Sequence, residues 1–107
     1  MDIQYGEGIF REEKAIYKGE VTLGEHKLYL KGAEGDLTQT YIPLEKIESI
    51  KLSRGCLRLF VRPSLSYYYT AEITAKPKKM NELSQELVHR RGFKKKFLKK
   101  EWFEVLT

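Results

Sequence analysis

The chain has 107 residues, of which 41% are apolar and 12% aromatic, and 20 Lys and Arg against 15 Asp and Glu give it a formal net charge of +5. This length suits one domain with a single core, and the composition excludes a disordered or fibrous chain. No apolar run approaches the ~20 residues that a membrane-spanning helix needs, and the first ten residues lack the pattern of a signal peptide. Since the single cysteine, Cys56, cannot form a disulfide within the chain, we expect a cytoplasmic protein.

The excess positive charge is confined to the end of the chain. Residues 1–75 carry ten basic and eleven acidic groups, a net charge of −1, whereas residues 76–107 carry ten basic and four acidic groups, a net charge of +6. We therefore expect any electrostatic partner to meet the C-terminal segment first.

The first three quarters of the chain have the sequence pattern of β-strands. Residues 1–13, with two isolated glycines, are interpreted as a lead-in segment. Beyond them, β-branched and aromatic residues, partial alternation and Gly or Pro breakers predict six strands. These strands cover residues 14–23, 26–31, 37–42, 47–52, 56–62 and 65–75. Because no helix separates them, the sheet should be antiparallel, as a sandwich or a small, partly open barrel.

At Pro77 the periodicity becomes helical. Apolar residues at Met80, Leu83, Leu87 and Val88 form one stripe, Pro77 suits the first turn, and Gly92 suits a C-terminal cap. The pattern predicts a helix over 78–91 that packs against the sheet. Residues 92–107 form a basic, aromatic extension, which we interpret as a second helix. A short strand over 102–105, apolar on both sides, is the alternative.

A short motif within this order of elements resembles a known superfamily. Tyr29 and Leu30, followed by Ile42-Pro43-Leu44 and Ile47, match a "YL…IPL–x–x–I" stretch that joins the third and fourth strands of pleckstrin-homology-like domains. Residues 14–91 are most similar to the GRAM and bacterial PH-like members. The resemblance implies a mainly β (α+β) fold of six or seven strands with a C-terminal helix, and a binding or scaffolding module without catalysis.

Some members of that superfamily bind phosphoinositides through a basic cluster around the first β-turn. Here the corresponding region offers Lys18, Lys27 and Lys31, diluted by Glu20 and Glu25 and without the Lys/Arg-x-Arg ending. We therefore do not expect that lipid site in this chain.

Residue types that carry catalysis are sparse in this sequence. His26 and His89 are the only histidines, and each is expected to be solvated or to cap an element. Two histidines and one cysteine without close spacing do not make a metal site, and no glycine-rich phosphate loop precedes a helix. We expect neither an enzyme nor a cofactor, and no small-molecule substrate is indicated.

Alternation within residues 56–62 makes one strand face a candidate interaction surface. Arg58, Phe60 and Arg62 share a face, and Tyr68 belongs to the same surface if the alternation of Tyr67 to Tyr69 exposes it. Such arginines could bind carboxylates or phosphates, with the aromatic rings supporting stacking or a protein contact. The alternative is an ordinary solvated sheet face.

The C-terminal extension offers a second candidate surface, in which aromatic and apolar residues interrupt basic ones. It comprises Arg90, Arg91, Lys94, Lys95, Lys96, Phe97, Lys99, Lys100, Trp102 and Phe103. Cations and rings together suit an anionic membrane surface, and the cations alone suit nucleic-acid phosphates. Alternatively, the rings pack on this domain or on a second copy.

These observations predict a non-enzymatic binding module that acts through protein–protein contacts and associates with itself. Attachment to anionic membranes through the extension is the first alternative, and nucleic-acid binding is the next.

Overall fold

The computed structural model describes residues 2–32, 38–91, 93–95 and 102–105. Seven strands form the body of the domain, and one helix follows the seventh strand. The strands are β1 (Ile3–Glu12), β2 (Ala15–Leu23), β3 (Lys27–Lys31), β4 (Thr38–Pro43), β5 (Ile47–Ser53), β6 (Cys56–Ser64) and β7 (Tyr67–Thr74). A short 3-10 turn (Leu44–Lys46) precedes β5, the helix is α1 (Pro77–Arg91), and two short strands follow, β8 (Phe93–Lys95) and β9 (Trp102–Val105).

The seven strands form one open antiparallel sheet in the order β4-β3-β2-β1-β7-β6-β5. Short turns join most neighbours, as expected where no crossover helix intervenes. This architecture confirms the predicted mainly β fold with six or seven antiparallel strands and a C-terminal helix.

Strand β1 occupies the centre of the sheet, where a lead-in segment was predicted for residues 1–13. It pairs with β2 along most of its length and with β7 near its end. Gly6, at φ +90°, lies within a register shift between Gln4 and Glu7, and this bulge obscures the alternation of the strand. A Cβ at Gly8 would lie 2.7 Å from Val21 Cγ2, so glycine is needed where β1 meets β2.

The core lies between the inner face of the curved sheet and α1. Leu57, Leu59 and Val61 point into it from β6, as the alternation predicted, and Phe10 enters it from β1. The helix contributes Met80, Leu83 and Leu87, all fully buried, while Val88 is partly buried against the same cluster. The predicted helical stripe is confirmed. The predicted cap at Gly92 lies outside the described residues.

The described residues of the C-terminal extension form two short strands, β8 and β9, whereas most of the stretch predicted as a second helix lies outside the described residues. β9 pairs with β5 through Ser49 opposite Glu104 and Lys51 opposite Trp102, and β8 pairs with β9. Aromatic and β-branched residues favour strands, and the edge of β5 presents backbone donors and acceptors that another strand satisfies. Residues 92, 96–101, 106 and 107 lie outside the described part of the chain.

Candidate interaction surface

The outer face of β6 brings together the residues predicted as an interaction surface. Arg58, Phe60 and Arg62 all point away from the core, because Leu57, Leu59 and Val61 between them are buried. Neighbouring strands flank this row on both sides: Phe60 pairs with Ser49 of β5 and with Thr70 of β7. The predicted row therefore exists, and it lies in the middle of a three-strand surface.

Both arginines of the row bind carboxylates of the same chain. Arg58 donates from Nε and Nη2 to Glu72 Oε2, at 3.1 and 2.8 Å. Arg62 donates from Nε to Glu48 Oε2 at 2.9 Å and from Nη1 to the Leu65 carbonyl at 3.4 Å. The two guanidinium charges are thus balanced locally. These exposed pairs orient the arginines but add little stability.

Aromatic rings form the other part of the surface. The Phe60 and Tyr68 rings stack with centroids 4.9 Å apart and planes 27° apart, and Arg62 Cζ lies 5.2 Å from the Tyr68 ring centroid. Tyr68 is 55% exposed, and Leu65, at the tip of the β6–β7 turn, is 96% exposed. We call Phe60, Arg62, Leu65 and Tyr68 the aromatic surface. The surface presents two aromatic rings and one aliphatic side chain, and the charge of its arginine is paired with Glu48.

Of the residues predicted for the C-terminal surface, only the side chain of Arg90 is described. Its Nε donates to Glu86 Oε2 at 2.8 Å, and its Nη1 donates to the Gly24 carbonyl at 2.6 Å. Arg90 is therefore bound to its own domain, which ties the end of α1 to the β2–β3 turn. The side chains of Arg91, Lys94, Lys95, Lys96, Phe97, Lys99, Lys100, Trp102 and Phe103 lie outside the described part of the structure.

A second cluster, not predicted from the sequence, lies between the β1–β2 turn and the start of β7. Glu12, Glu13, Lys14, Ala15, Tyr67 and Tyr69 line an open cleft there. The Tyr67 hydroxyl donates to Glu13 Oε1 at 2.8 Å, and the Thr40 hydroxyl donates to Glu12 Oε1 at 3.0 Å. The Tyr67 and Tyr69 rings have centroids 5.9 Å apart. We call this group the acidic tyrosine cleft.

Strand alternation separates the three consecutive tyrosines. Tyr68 points outward to the aromatic surface, whereas Tyr67 and Tyr69 share the face of the acidic tyrosine cleft. Only the glutamate pair at 12 and 13 and the tyrosine run hint at this cleft in the sequence. Their proximity depends on the pairing of β1 with β7, which joins residues about sixty positions apart.

The electrostatics of the cleft keep both phenols protonated. Burial raises the pKa of Tyr69 to about 12, and the neighbouring Glu12 carboxylate adds to the rise. The hydrogen bond to Glu13 is the main cause of the raised pKa of Tyr67. Both shifts reflect an environment that disfavours further negative charge.

Because of Tyr69, the free energy of unfolding should fall as the pH rises into the alkaline range. Because its folded-state pKa lies above its ordinary value of 10.0, its contribution is complete below pH ~10 and is lost as the pH rises towards 12. The wild type should therefore lose more free energy of unfolding than Tyr69→Phe between those two pH values. Urea denaturation of both proteins at each pH measures this difference, and equal losses would contradict the assigned environment.

No known protein-family model matches the chain, and a search of curated proteins finds no match to it. Within the described ranges, no helix is long and apolar enough to cross a membrane. The same described residues contain no group of three or more His, Cys, Asp or Glu side chains that could hold a metal ion.

Proposed function

We propose that this protein is a non-enzymatic binding module of the pleckstrin-homology-like type that acts through protein–protein contacts, with a second copy of itself as a partner. The order of elements supports the comparison with that superfamily, since seven antiparallel strands precede a helix that covers their inner face. The half-buried, free thiol of Cys56 supports a cytoplasmic location for it, because reducing compartments maintain free thiols.

The aromatic surface is the observation that carries this proposal. Exposed Tyr, Phe and Arg are the residue types enriched in protein interfaces and their energetic centres. Here the Phe60 and Tyr68 rings are stacked and Arg62 covers Tyr68, so little side-chain entropy remains to be lost when a partner binds. Because Glu48 and Glu72 already pair with the arginines, the surface favours an apolar and aromatic partner over an anion.

Tyr68→Ala should weaken self-association about 30-fold in Kd, the effect of losing a central interface tyrosine worth roughly 2 kcal/mol. Sedimentation equilibrium of both proteins over a range of concentrations measures this change. Tyr41→Ala is the matched control, since Tyr41 is 56% exposed, close to the 55% of Tyr68, but lies on the edge strand β4, which three strands separate from β7. We expect the control to associate as the wild type does. A monomeric wild type, or an equal effect of both substitutions, would contradict the proposal.

A further inference from the structure

Strand β4 forms one edge of the sheet and presents backbone groups that no neighbouring strand bonds. Within the described residues, β4 pairs with β3 and has no strand on its outer side. The other end of the seven-strand body differs, because β5 pairs with β9 there. An open edge of this kind can accept a strand from another chain.

The hydrogen-bond register shows which groups of β4 point outwards. The Leu44 N–H donates to the His26 carbonyl at 2.9 Å, so these two residues form a bonded pair between β3 and β4. Bonded and non-bonded pairs alternate along an antiparallel ladder. Tyr41 lies three residues before Leu44 and pairs with Tyr29, so Tyr41 belongs to a non-bonded pair. The N–H and C=O of Tyr41 therefore point away from β3, towards the open edge.

Pro43 limits how far an added strand can pair. It lies two residues after Tyr41, so its backbone faces the same edge, where it offers a carbonyl but no N–H. An added strand can exchange two hydrogen bonds with Tyr41 and donate one more to the Pro43 carbonyl. Because β4 has six residues and ends at this proline, the edge suits a short peptide segment better than a long sheet shared between two copies.

Side chains beside the edge determine what such a segment should carry. Tyr41 lies on the outer face, since the neighbouring Ile42 is fully buried, and 56% of Tyr41 is exposed. Lys27 Nζ lies 5.1 Å from the Tyr29 ring centroid and 5.5 Å from the Tyr41 ring centroid. No carboxylate among the described residues forms an ion pair with Lys27. The two rings thus hold a positive charge at the edge, where it complements a carboxylate on an added strand.

A cleft of about 490 Å³ continues from the same edge, and Tyr41, Pro43 and Leu44 form its apolar part. Its charged lining residues are two cations and two carboxylates, namely Lys27, Arg90, Glu25 and Glu45. Arg90 is already bound to Glu86 and to the Gly24 carbonyl. Because the charges of the lining balance, its apolar part favours a large apolar side chain.

We propose that the β4 edge binds an extended, acidic segment of a different protein, which adds a strand beside Tyr41, directs a carboxylate to Lys27 and places an apolar side chain in the cleft. Side chains two positions apart on a strand share a face, so the segment carries its acidic and its large apolar residue at that spacing. This site is additional to the proposed self-association, which uses the aromatic surface on β6 and β7, beyond β1 in the sheet.

A peptide with blocked amides tests the added strand. The probe is a capped, fluorescently labelled hexapeptide of Val and Thr that carries one Glu and one Phe two positions apart, and its fluorescence anisotropy should show saturable binding to the full chain. Only alternate amides of an added strand face β4. N-methylation of one alternate set should therefore weaken binding at least about tenfold, through loss of the bonds to the Tyr41 and Pro43 carbonyls, while methylation of the other set leaves it within about twofold.

Lys27→Gln tests the carboxylate contact. At roughly 0.05 M salt it should weaken binding of the Glu peptide about threefold and leave binding of a peptide with Gln in place of Glu unchanged. Lys18→Gln is the matched control, because Lys18 is an exposed lysine on β2. It should bind both peptides as the wild type does. Circular dichroism establishes that each variant is folded.

Three results would overturn this proposal: no saturable binding up to about 1 mM, equal weakening by both methylated sets, or displacement of the peptide by excess unlabelled protein, which would assign the edge to a second copy. Tyr68→Ala separates the proposal from self-association, because it should weaken self-association and leave peptide binding unchanged. Self-association without peptide binding contradicts this site alone, and peptide binding by a monomeric wild type contradicts the proposed function alone.

Discussion

Gly19→Ala is expected to lower the free energy of unfolding by about 3 kcal/mol, the upper range for overpacking a well-formed interior. An added Cβ would lie 2.0 Å from the Lys31 carbonyl oxygen and 2.9 Å from its carbonyl carbon. These are backbone atoms of β3, and β3 pairs with β2 at the next residue, where Glu20 lies opposite Lys31. The clash can be relieved only by separating the two strands, which costs hydrogen bonds as well as packing. Urea denaturation followed by circular dichroism measures the change.

Gly24→Ala is the matched control for this prediction. The nearest atom to a Cβ at that position is the Lys27 carbonyl oxygen at 3.4 Å, which is ordinary van der Waals contact. The backbone bonds of Gly24, to the Lys27 carbonyl and from Arg90, do not involve its side-chain position. We expect a change within about 0.5 kcal/mol. Equal effects at the two positions would show that the close approach of β2 and β3 is not the cause.

Leu83→Ala should cost about 3 kcal/mol, because it removes a fully buried side chain from the contact between α1 and the sheet. Leu83 lies between Met80 and Leu87 on the buried face of the helix, and the cavity left behind cannot collapse without moving the whole helix. The higher helix propensity of alanine recovers only a few tenths of a kcal/mol.

Leu65→Ala is the control with the same chemistry in a different environment. Leu65 is 96% exposed at the β6–β7 turn, so its truncation should change the stability by less than about 0.5 kcal/mol. Both proteins are best compared at low concentration, where self-association does not add to the apparent stability. A small loss for Leu83→Ala would mean that α1 contributes little to the fold and that the sheet is stable without it.

The alternation on β6 could be predicted because it is local. Strand geometry alone sends Leu57, Leu59 and Val61 to one face and the intervening Arg58, Phe60 and Arg62 to the other. The same holds for the helical stripe that begins at Met80. In each case the periodicity of hydrophobic residues indicates both the element and its buried face.

Strand β1 could not be predicted for a specific physical reason. Its glycines and its bulge break the period of two, and glycine has low intrinsic strand propensity. Gly8 is required because β2 and β7 approach this strand closely, and that need arises only once β2 and β7 are paired with it. The lead-in interpretation of residues 1–13 was wrong because the need for glycine in this strand comes from its contacts with β2 and β7. Those contacts involve residues far along the chain, so the sequence of residues 1–13 does not reveal them.

The sequence also did not reveal the carboxylate partners of Arg58 and Arg62. Arg58 and Glu72 are fourteen residues apart, as are Arg62 and Glu48, and each pair meets only through strand pairing. The sequence indicated a basic row open to an external anion, whereas the sheet supplies internal carboxylates for both arginines. This neutralisation changes the chemistry of the surface from anion binding towards aromatic and apolar contact.

By itself, the amino-acid sequence determined that this is one mainly β domain with a C-terminal helix, near-neutral in its first 75 residues and basic thereafter, because charge, periodicity and breakers act locally. The tertiary structure alone decided that β1 is central, that the arginines are paired and that Glu12 and Glu13 meet Tyr67 and Tyr69. Those features depend on which strands lie side by side. Which distant strands pair depends on how much apolar surface the whole core buries. A local sequence pattern does not predict that pairing.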